Sequence, residues 1–317
     1  MAERFYYGGQ AVVEGVMMRG PRTMSVAVRR PKGDIHVQTR VLPTLYTGKL
    51  RKAPFIRGVI FMIENLYFGI KTLLYSANVS LEEEEAEISG KYAWLLVFFS
   101  IAFSVALFFL LPLFITGLFN IESTILYNLT EGIIRVVIFI TYLMIMAFLP
   151  DIKRVFGYHG AEHKTVNAYE AGVPLELEAI KRFGTAHVRC GTSFIFIVVI
   201  ISIIVFSLAG LHTVWLMVLS RIVLIPVIAG IGYEVIYFSG RHSDNILVRI
   251  TSAPGLWLQS LTTREPDDDQ LEVALSALRK VIEIEQPEEV TWEMKEEESV
   301  VVQPEEEQTE GTGPSVS

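Results

Sequence analysis

Four runs of apolar residues constrain this chain more than any other feature. They are Tyr92–Phe119, Ile133–Leu149, Ser193–Ala209 and Trp215–Phe238. A helix that crosses a bilayer needs about 20 largely apolar residues, and each run approaches or exceeds that length. Two long hairpins of buried soluble helices are the alternative, but four such runs are too apolar for a soluble core. Composition agrees: of 317 residues, 51% are hydrophobic and 20% charged, and mean hydropathy is +0.42. The pattern predicts a mostly α membrane protein with four transmembrane helices, a small cytoplasmic N-terminal β-hairpin region and a C-terminal amphipathic helix.

Orientation follows from the placement of Lys and Arg, which concentrate on the cytoplasmic side. The segment before the first run holds 13, the Pro150–Thr192 connection 6, and the segment after the fourth run 6. Asn120–Gly132 and Gly210–Val214 hold none. Both termini and the 150–192 loop are therefore expected in the cytoplasm. The two remaining cations, Arg135 and Arg221, fall inside runs near their outer ends, where long side chains can snorkel. Net charge is −8, yet residues 265–317 alone carry 17 acidic and 3 basic residues. The rest is mildly basic, and its cations match membrane orientation rather than a nucleic-acid surface. The opening Met1–Gln10 lacks the apolar core of a signal peptide. A single cysteine, Cys190, excludes a disulfide framework and any CxxC motif.

The chain then divides as follows. Residues 1–54 form a glycine-rich and hairpin region: 24–42 alternate in hydropathy around the turn Pro31-Lys32-Gly33-Asp34. The preceding run Gly8–Pro21 reads as strands with tight turns that bring backbone close to something. Residues 55–80 form a helix interrupted by Arg57, Glu64, Asn65 and Lys71, read as amphipathic on the inner membrane surface, with a re-entrant segment as the alternative. Residues 82–87 make an acidic approach to the 92–238 membrane domain. In the 239–285 region, Arg241–Ser260 reads as short and polar, broken at Pro254-Gly255. Asp267–Glu285 reads as one amphipathic helix, with Leu271, Ala274, Leu275, Leu278 and Ile282 on its apolar face. The 286–317 tail is Glu-rich and expected to be disordered.

The sharpest chemical signal is His159-Gly160-Ala161-Glu162-His163. Residues four apart share one helical face about 6 Å apart, so both imidazoles can hold one divalent ion. Zinc is the natural choice, with Glu162 as general base. The helix would stop at Gly172 and Pro174. Glu170, about 10 Å beyond His163 along the axis, is too far to join. Further ligands must come from elsewhere, and His187, Cys190, Glu234 and His242 lie at helix ends expected at one membrane level. Each has a plainer alternative: an interfacial histidine, a packed thiol, an ion pair of Glu234 with Arg189 or Arg241, a polar helix exit. Arg189 or Arg241 could stabilise an oxyanion.

Several long motifs resemble the YqhQ-like family of bacterial membrane proteins. They are the Gly8–Pro21 opening, Tyr158–Glu170, His187–Ser193, and Pro254–Gln259 followed by Leu261–Pro266. The resemblance covers roughly residues 7–285. It implies an uncharacterised family carrying a predicted metal-dependent enzyme label, and it transfers no substrate. The likeness of His159, Glu162 and His163, with Glu234 downstream, to inverzincin hydrolases stops at those residues. The expected function is a metal-dependent, hydrolase-like membrane enzyme working at the cytoplasmic face. The alternative is a non-catalytic scaffold or assembly factor with a structural or regulatory metal. A transporter ranks last. Expected partners are membrane lipid, an unidentified cytoplasmic protein or small molecule, no nucleic acid, and, in some arrangements, a second copy of the chain.

Overall fold

The computed structural model describes residues 7–43, 48, 53–81, 90–210, 213–241 and 245–286. The acidic approach 82–87, His242 and the tail beyond Gln286 lie outside the described residues. The described chain is mostly helical, with one N-terminal sheet.

The Gly-rich opening and the predicted hairpin form a single antiparallel meander of four strands. They are β1 (Gly8–Val12), β2 (Gly15–Arg19), β3 (Thr23–Arg29) and β4 (Ile35–Val41). Val12 pairs with Gly15 across a two-residue turn whose second central residue, Glu14, takes φ 50°, in the left-handed region. Strand side chains alternate between two faces, and both faces are buried. Val12, Met17, Met24, Val26 and Val28 pack on Ile60 and Phe68 of α1 (Ile56–Leu81). Val16, Met18 and Ala27 pack instead on α5 (Pro150–Ala171) and α11 (Asp268–Glu285). The sheet is thus the middle of three layers.

α1 is one continuous helix, 26 residues long, and is apolar enough to cross a membrane. Its contacts run along the N-terminal sheet. Val13 donates its N–H to Ser76 Oγ, Arg19 pairs with Glu64 at 2.5 Å, and Phe68 lies under the sheet. The helix is pinned along the sheet over most of its length. Its far face shows Ile63, Leu66 and Leu73 exposed.

Three of the predicted apolar runs appear as helices of crossing length. The first is α2 (Gly90–Val105), continued through a π-turn at Ala106–Leu110 into α3 (Leu111–Gly117). The second, α4, covers Thr124–Met146 rather than Ile133–Leu149. Its first turns hold Asn128 and Glu131, which a search for apolar residues passes over. The third is α7 (Gly191–Ala209). The fourth run is broken into α8 (Val214–Val223) and α9 (Ile225–Arg241), bent by 45°. Pro226 has no N–H to continue the α8 ladder and accounts for the break.

Within this bundle the two cations do not snorkel. Arg135 and Arg221 are 3% and 4% exposed and both grip Glu131. Arg135 also donates to Ser202 Oγ on α7, and Arg221 stacks over Phe206 at 4.1 Å. A charge in an apolar interior is costly unless paired, and Glu131 provides the pair.

Residues 246–262 depart from expectation. They form α10 (Ile246–Thr262) with Pro254 inside it, not a short broken segment. The glycine that suggested a break lets α10 approach α7, since a Cβ at Gly255 would meet Ser193 Oγ at 2.8 Å. α11 begins where Asp267 predicts, with a reciprocal capping box between Asp267 and Gln270. All five residues of its predicted apolar face are buried.

Candidate metal centre

α5 starts at Pro150 and, as the sequence predicts, stops at Gly172, which takes the left-handed conformation. It is not a surface helix. Its polar residues lie in the core between the sheet, α11 and the 173–190 connection, which includes the short α6 (Leu177–Ile180). Close backbone approach makes this possible. A Cβ at Gly160 would drive into the Arg264 carbonyl oxygen, and one at Gly9 of β1 would meet Glu162 Cγ at 3.0 Å. The Gly8-Gly9 opening therefore lays backbone over Glu162.

Several polar side chains of α5 are held in place. Lys164 donates to the Lys181 carbonyl at 3.0 Å and pairs with Glu265. Asn167 donates to the carbonyls of Gly184 and Ala186. Tyr158 donates to Glu14 at 3.2 Å. Burial and then the Glu14 charge push the phenol well above its usual range. These bonds fix the 181–187 backbone against the helix.

The two histidines use that fixed backbone. His159 Nδ1–H donates to the Thr262 carbonyl at 2.8 Å, and His163 Nδ1–H donates to the Thr185 carbonyl at 2.6 Å. A carbonyl only accepts, so in the neutral rings each Nε2 carries the lone pair. Carbonyl-oriented imidazoles of this kind are the usual second layer of a metal site. His159 Nε2 lies 3.3 Å from Cys190 Sγ, which sits at the N-cap of α7 and also accepts from Thr192 N–H. Donor atoms of His159, His163 and Cys190 all lie within 4.8 Å of one another. Around a tetrahedral zinc ion, such donors stand about 3.3–3.6 Å apart. The cluster needs only a small contraction to fit. His163 Nε2 also faces Glu162 Oε2 at 3.5 Å, with both residues buried. Facing a carboxylate, Nε2 needs either a proton of its own or a cation between the two groups, and a divalent ion in the donor set would supply the cation.

The other candidates separate from this cluster. His187 is buried beside it, with its ring 5.7 Å from that of His163. Its Nε2 has no hydrogen-bond partner and faces Glu170 Oε2 at 3.5 Å. Burial pushes the imidazole pKa down, with the Glu162 charge acting the other way. Glu170 stays outside the cluster, as its distance along α5 requires, and holds Arg189. Arg189 is thereby engaged rather than aimed at a reacting oxygen. Glu234 is a correction. It pairs with Arg57 and accepts from Phe55 N–H at 3.0 Å, so it ties α9 to the start of α1. Nothing places it at the histidines. His242 lies outside the described residues.

Sequence reasoning missed Gln259. Its amide accepts from His187 N–H and donates to the His187 carbonyl and to Ser193 Oγ, all within 2.8–2.9 Å. It also missed the Thr185 and Thr262 carbonyls, because main-chain acceptors leave no mark in residue identity. The glutamine lies within the Pro254–Gln259 motif and four residues after Gly255, which was the available signal.

Fold and site together define a mostly helical protein with helices of membrane-crossing length and a buried histidine–cysteine cluster beside a carboxylate. The chain belongs to the family described as "Protein of unknown function (DUF1385)", which it matches over residues 53–284. It is similar to "Uncharacterized protein YqhQ" of Bacillus subtilis (strain 168). The two are 36% identical over 299 residues, covering 88% of this chain and 93% of the relative. No solved structure matches the chain.

Proposed function

We propose that this protein is a metal-dependent, hydrolase-like enzyme of the bacterial inner membrane, with its site at the cytoplasmic face. One observation carries the reading: two carbonyl-oriented imidazoles and a thiol converge within 4.8 Å beside a buried carboxylate. Three protein ligands leave a tetrahedral ion one open position, the arrangement of catalytic rather than structural zinc. An ion held there would supply Lewis acidity and lower the pKa of water. Glu162 would accept the proton from the attacking water and return it to the leaving group. Thr185 and Thr262 hold the rings, and Gln259 holds the His187 backbone. The apolar outer surface of α2, α4 and α7 supports insertion, and the distribution of Lys and Arg supports cytoplasmic termini.

The test is elemental analysis of purified protein for zinc, manganese and iron. Wild type is expected to hold about one ion per chain, the stoichiometry of one three-ligand site. His159→Ala/His163→Ala and Cys190→Ala should each lose it. Unchanged metal content in the double variant ends the reading. The scaffold reading makes a different prediction: a Glu162→Gln protein with normal metal content would retain full function in cells.

A further inference from the structure

α1 gives one face to the sheet and leaves the other uncovered. Ile60, Glu64, Phe68, Thr72 and Ser76 recur every fourth position and are buried. Ile60 and Phe68 lie under the strands, Glu64 holds Arg19, and Ser76 Oγ accepts the Val13 N–H. On the opposite side Ile56, Ile63, Leu66, Leu73 and Leu81 are each 43–57% exposed. Their spacing keeps them on one helical face. The stripe therefore runs the length of the helix, about 39 Å at 1.5 Å per residue. Its border carries Tyr67 and Lys71, both exposed, with Lys71 Nζ 4.6 Å from the Tyr67 ring centroid. The carboxylate that α1 carries, Glu64, is turned inward to Arg19.

Both ends of α1 are tethered to elements that leave the apolar bundle on one side. At its start, Arg57 pairs with Glu234 of α9, and the Phe61 ring meets Phe194 in the first turn of α7 at 5.7 Å. Near its end, Ser76 binds Val13, and the next residue, Glu14, pairs with Arg154 in α5, which follows α4 in the chain. The distribution of Lys and Arg assigns the end of α9, the start of α7 and the α4–α5 junction to the cytoplasmic side. A helix fastened at both ends to one side of a bundle runs along that side. An apolar stripe there, bordered by Tyr and Lys, matches the boundary between lipid headgroups and acyl chains. We infer that α1 is a lipid-docking helix, lying parallel to the bilayer with its stripe in the cytoplasmic leaflet. The inference rests on the membrane-inserted bundle of the proposed enzyme and is independent of its metal. It gives the sheet a second attachment to the membrane, and with it β1, whose backbone covers Glu162 at Gly9.

The experiment uses the full chain reconstituted into vesicles of phosphatidylethanolamine and phosphatidylglycerol. Single cysteines replace Ile56, Ile63, Leu66, Leu73 and Leu81 in turn, in a Cys190→Ala background. Each carries a nitroxide whose depth is read from its relaxation by oxygen against a water-soluble nickel chelate. Labels at Phe103 in α2 and at Lys32, both exposed, mark hydrocarbon and water. The five stripe labels should share one shallow depth, about 5–10 Å into the headgroup and acyl boundary, with Phe103 deeper. A profile that peaks at Leu66 about 15 Å deep, half the hydrocarbon thickness, belongs to a crossing helix and overturns the proposal. Water-like relaxation along the stripe with Phe103 in hydrocarbon overturns it too and leaves the inserted bundle standing. So does spin–spin broadening between copies at the stripe, the mark of a second chain covering it. In the unsubstituted protein, a lipid with a diazirine near its headgroup should label Ile63, Leu66 and Leu73, and their sparing counts equally against the proposal. Phe103 in water overturns the membrane reading and this inference together.

Discussion

Gly160 shows how far one side chain governs the centre. It lies between His159 and the catalytic candidate Glu162, and its missing Cβ is what lets α5 touch the Arg264 carbonyl. Gly160→Ala should push the 262–264 backbone away and pull the Thr262 acceptor off His159. Overpacking of this kind costs about 1–3 kcal/mol, and loss of an orienting partner weakens metal affinity about 10–100-fold. Thermal melting and competition with a chelator would read both. Glu162→Gln should behave oppositely. It keeps the ion and the fold but loses about 10²–10⁴-fold in turnover once a substrate is found, because the amide cannot take the proton. At this scale the sequence was half legible. The spacing of His159 and His163 announced one helical face, and Cys190 was named as a partner. The close approach of His163 Nε2 to Glu162, and the carbonyls that aim both rings, exist only in the folded backbone.

Elements differ in how openly they declare themselves. α11 was readable from end to end because a capping residue, an apolar stripe at helical spacing and a surrounding polar face agree. α10 was not, since Pro254-Gly255 reads locally as a breaker while packing on Ser193 makes it helical. Glu234 misled for a related reason: its partner Arg57 comes 177 residues earlier, and pattern reading does not span such distances. The end of α11 offers a pH test. Burial alone would raise the Glu285 carboxyl. Hydrogen bonds from Thr23 Oγ1 at 2.7 Å and from Arg22 N–H at 2.8 Å outweigh that and hold its pKa below the ordinary 4.5. A carboxyl lowered in the folded state adds stability that is fully present above the unfolded value and is lost as pH falls through the folded one. Melting temperature followed from about pH 6 to about pH 3 should therefore fall less steeply for Glu285→Gln than for wild type, with the variant less stable at the upper end. Equal slopes would show that this carboxylate does not link α11 to the sheet.

For the whole molecule, the apolar runs and the Lys and Arg counts disclosed the candidate membrane domain, but not what locks it. Glu131 was invisible as a lock because it precedes the apolar part of α4, yet it joins α4 to α8 through Arg221. Glu131→Gln would leave two buried guanidiniums without their carboxylate. The expected loss is about 3–5 kcal/mol, read as a lower melting temperature in detergent; Glu131→Asp should recover part of it. The proposed topology is testable in a Cys190→Ala background. A cysteine at Lys32 or Lys280 should react with an impermeant maleimide only in inverted vesicles, and one at Glu122 only in intact cells. The three-layered sheet has one more consequence. β2 and β3 emerge early in synthesis, but Leu271, Leu278 and Val281, which cover one of their faces, are made about 250 residues later. The strands must wait with that face bare while the intervening helices are made. A chain cut short before residue 268 would leave the sheet bare on that face, a ready target for quality-control proteases.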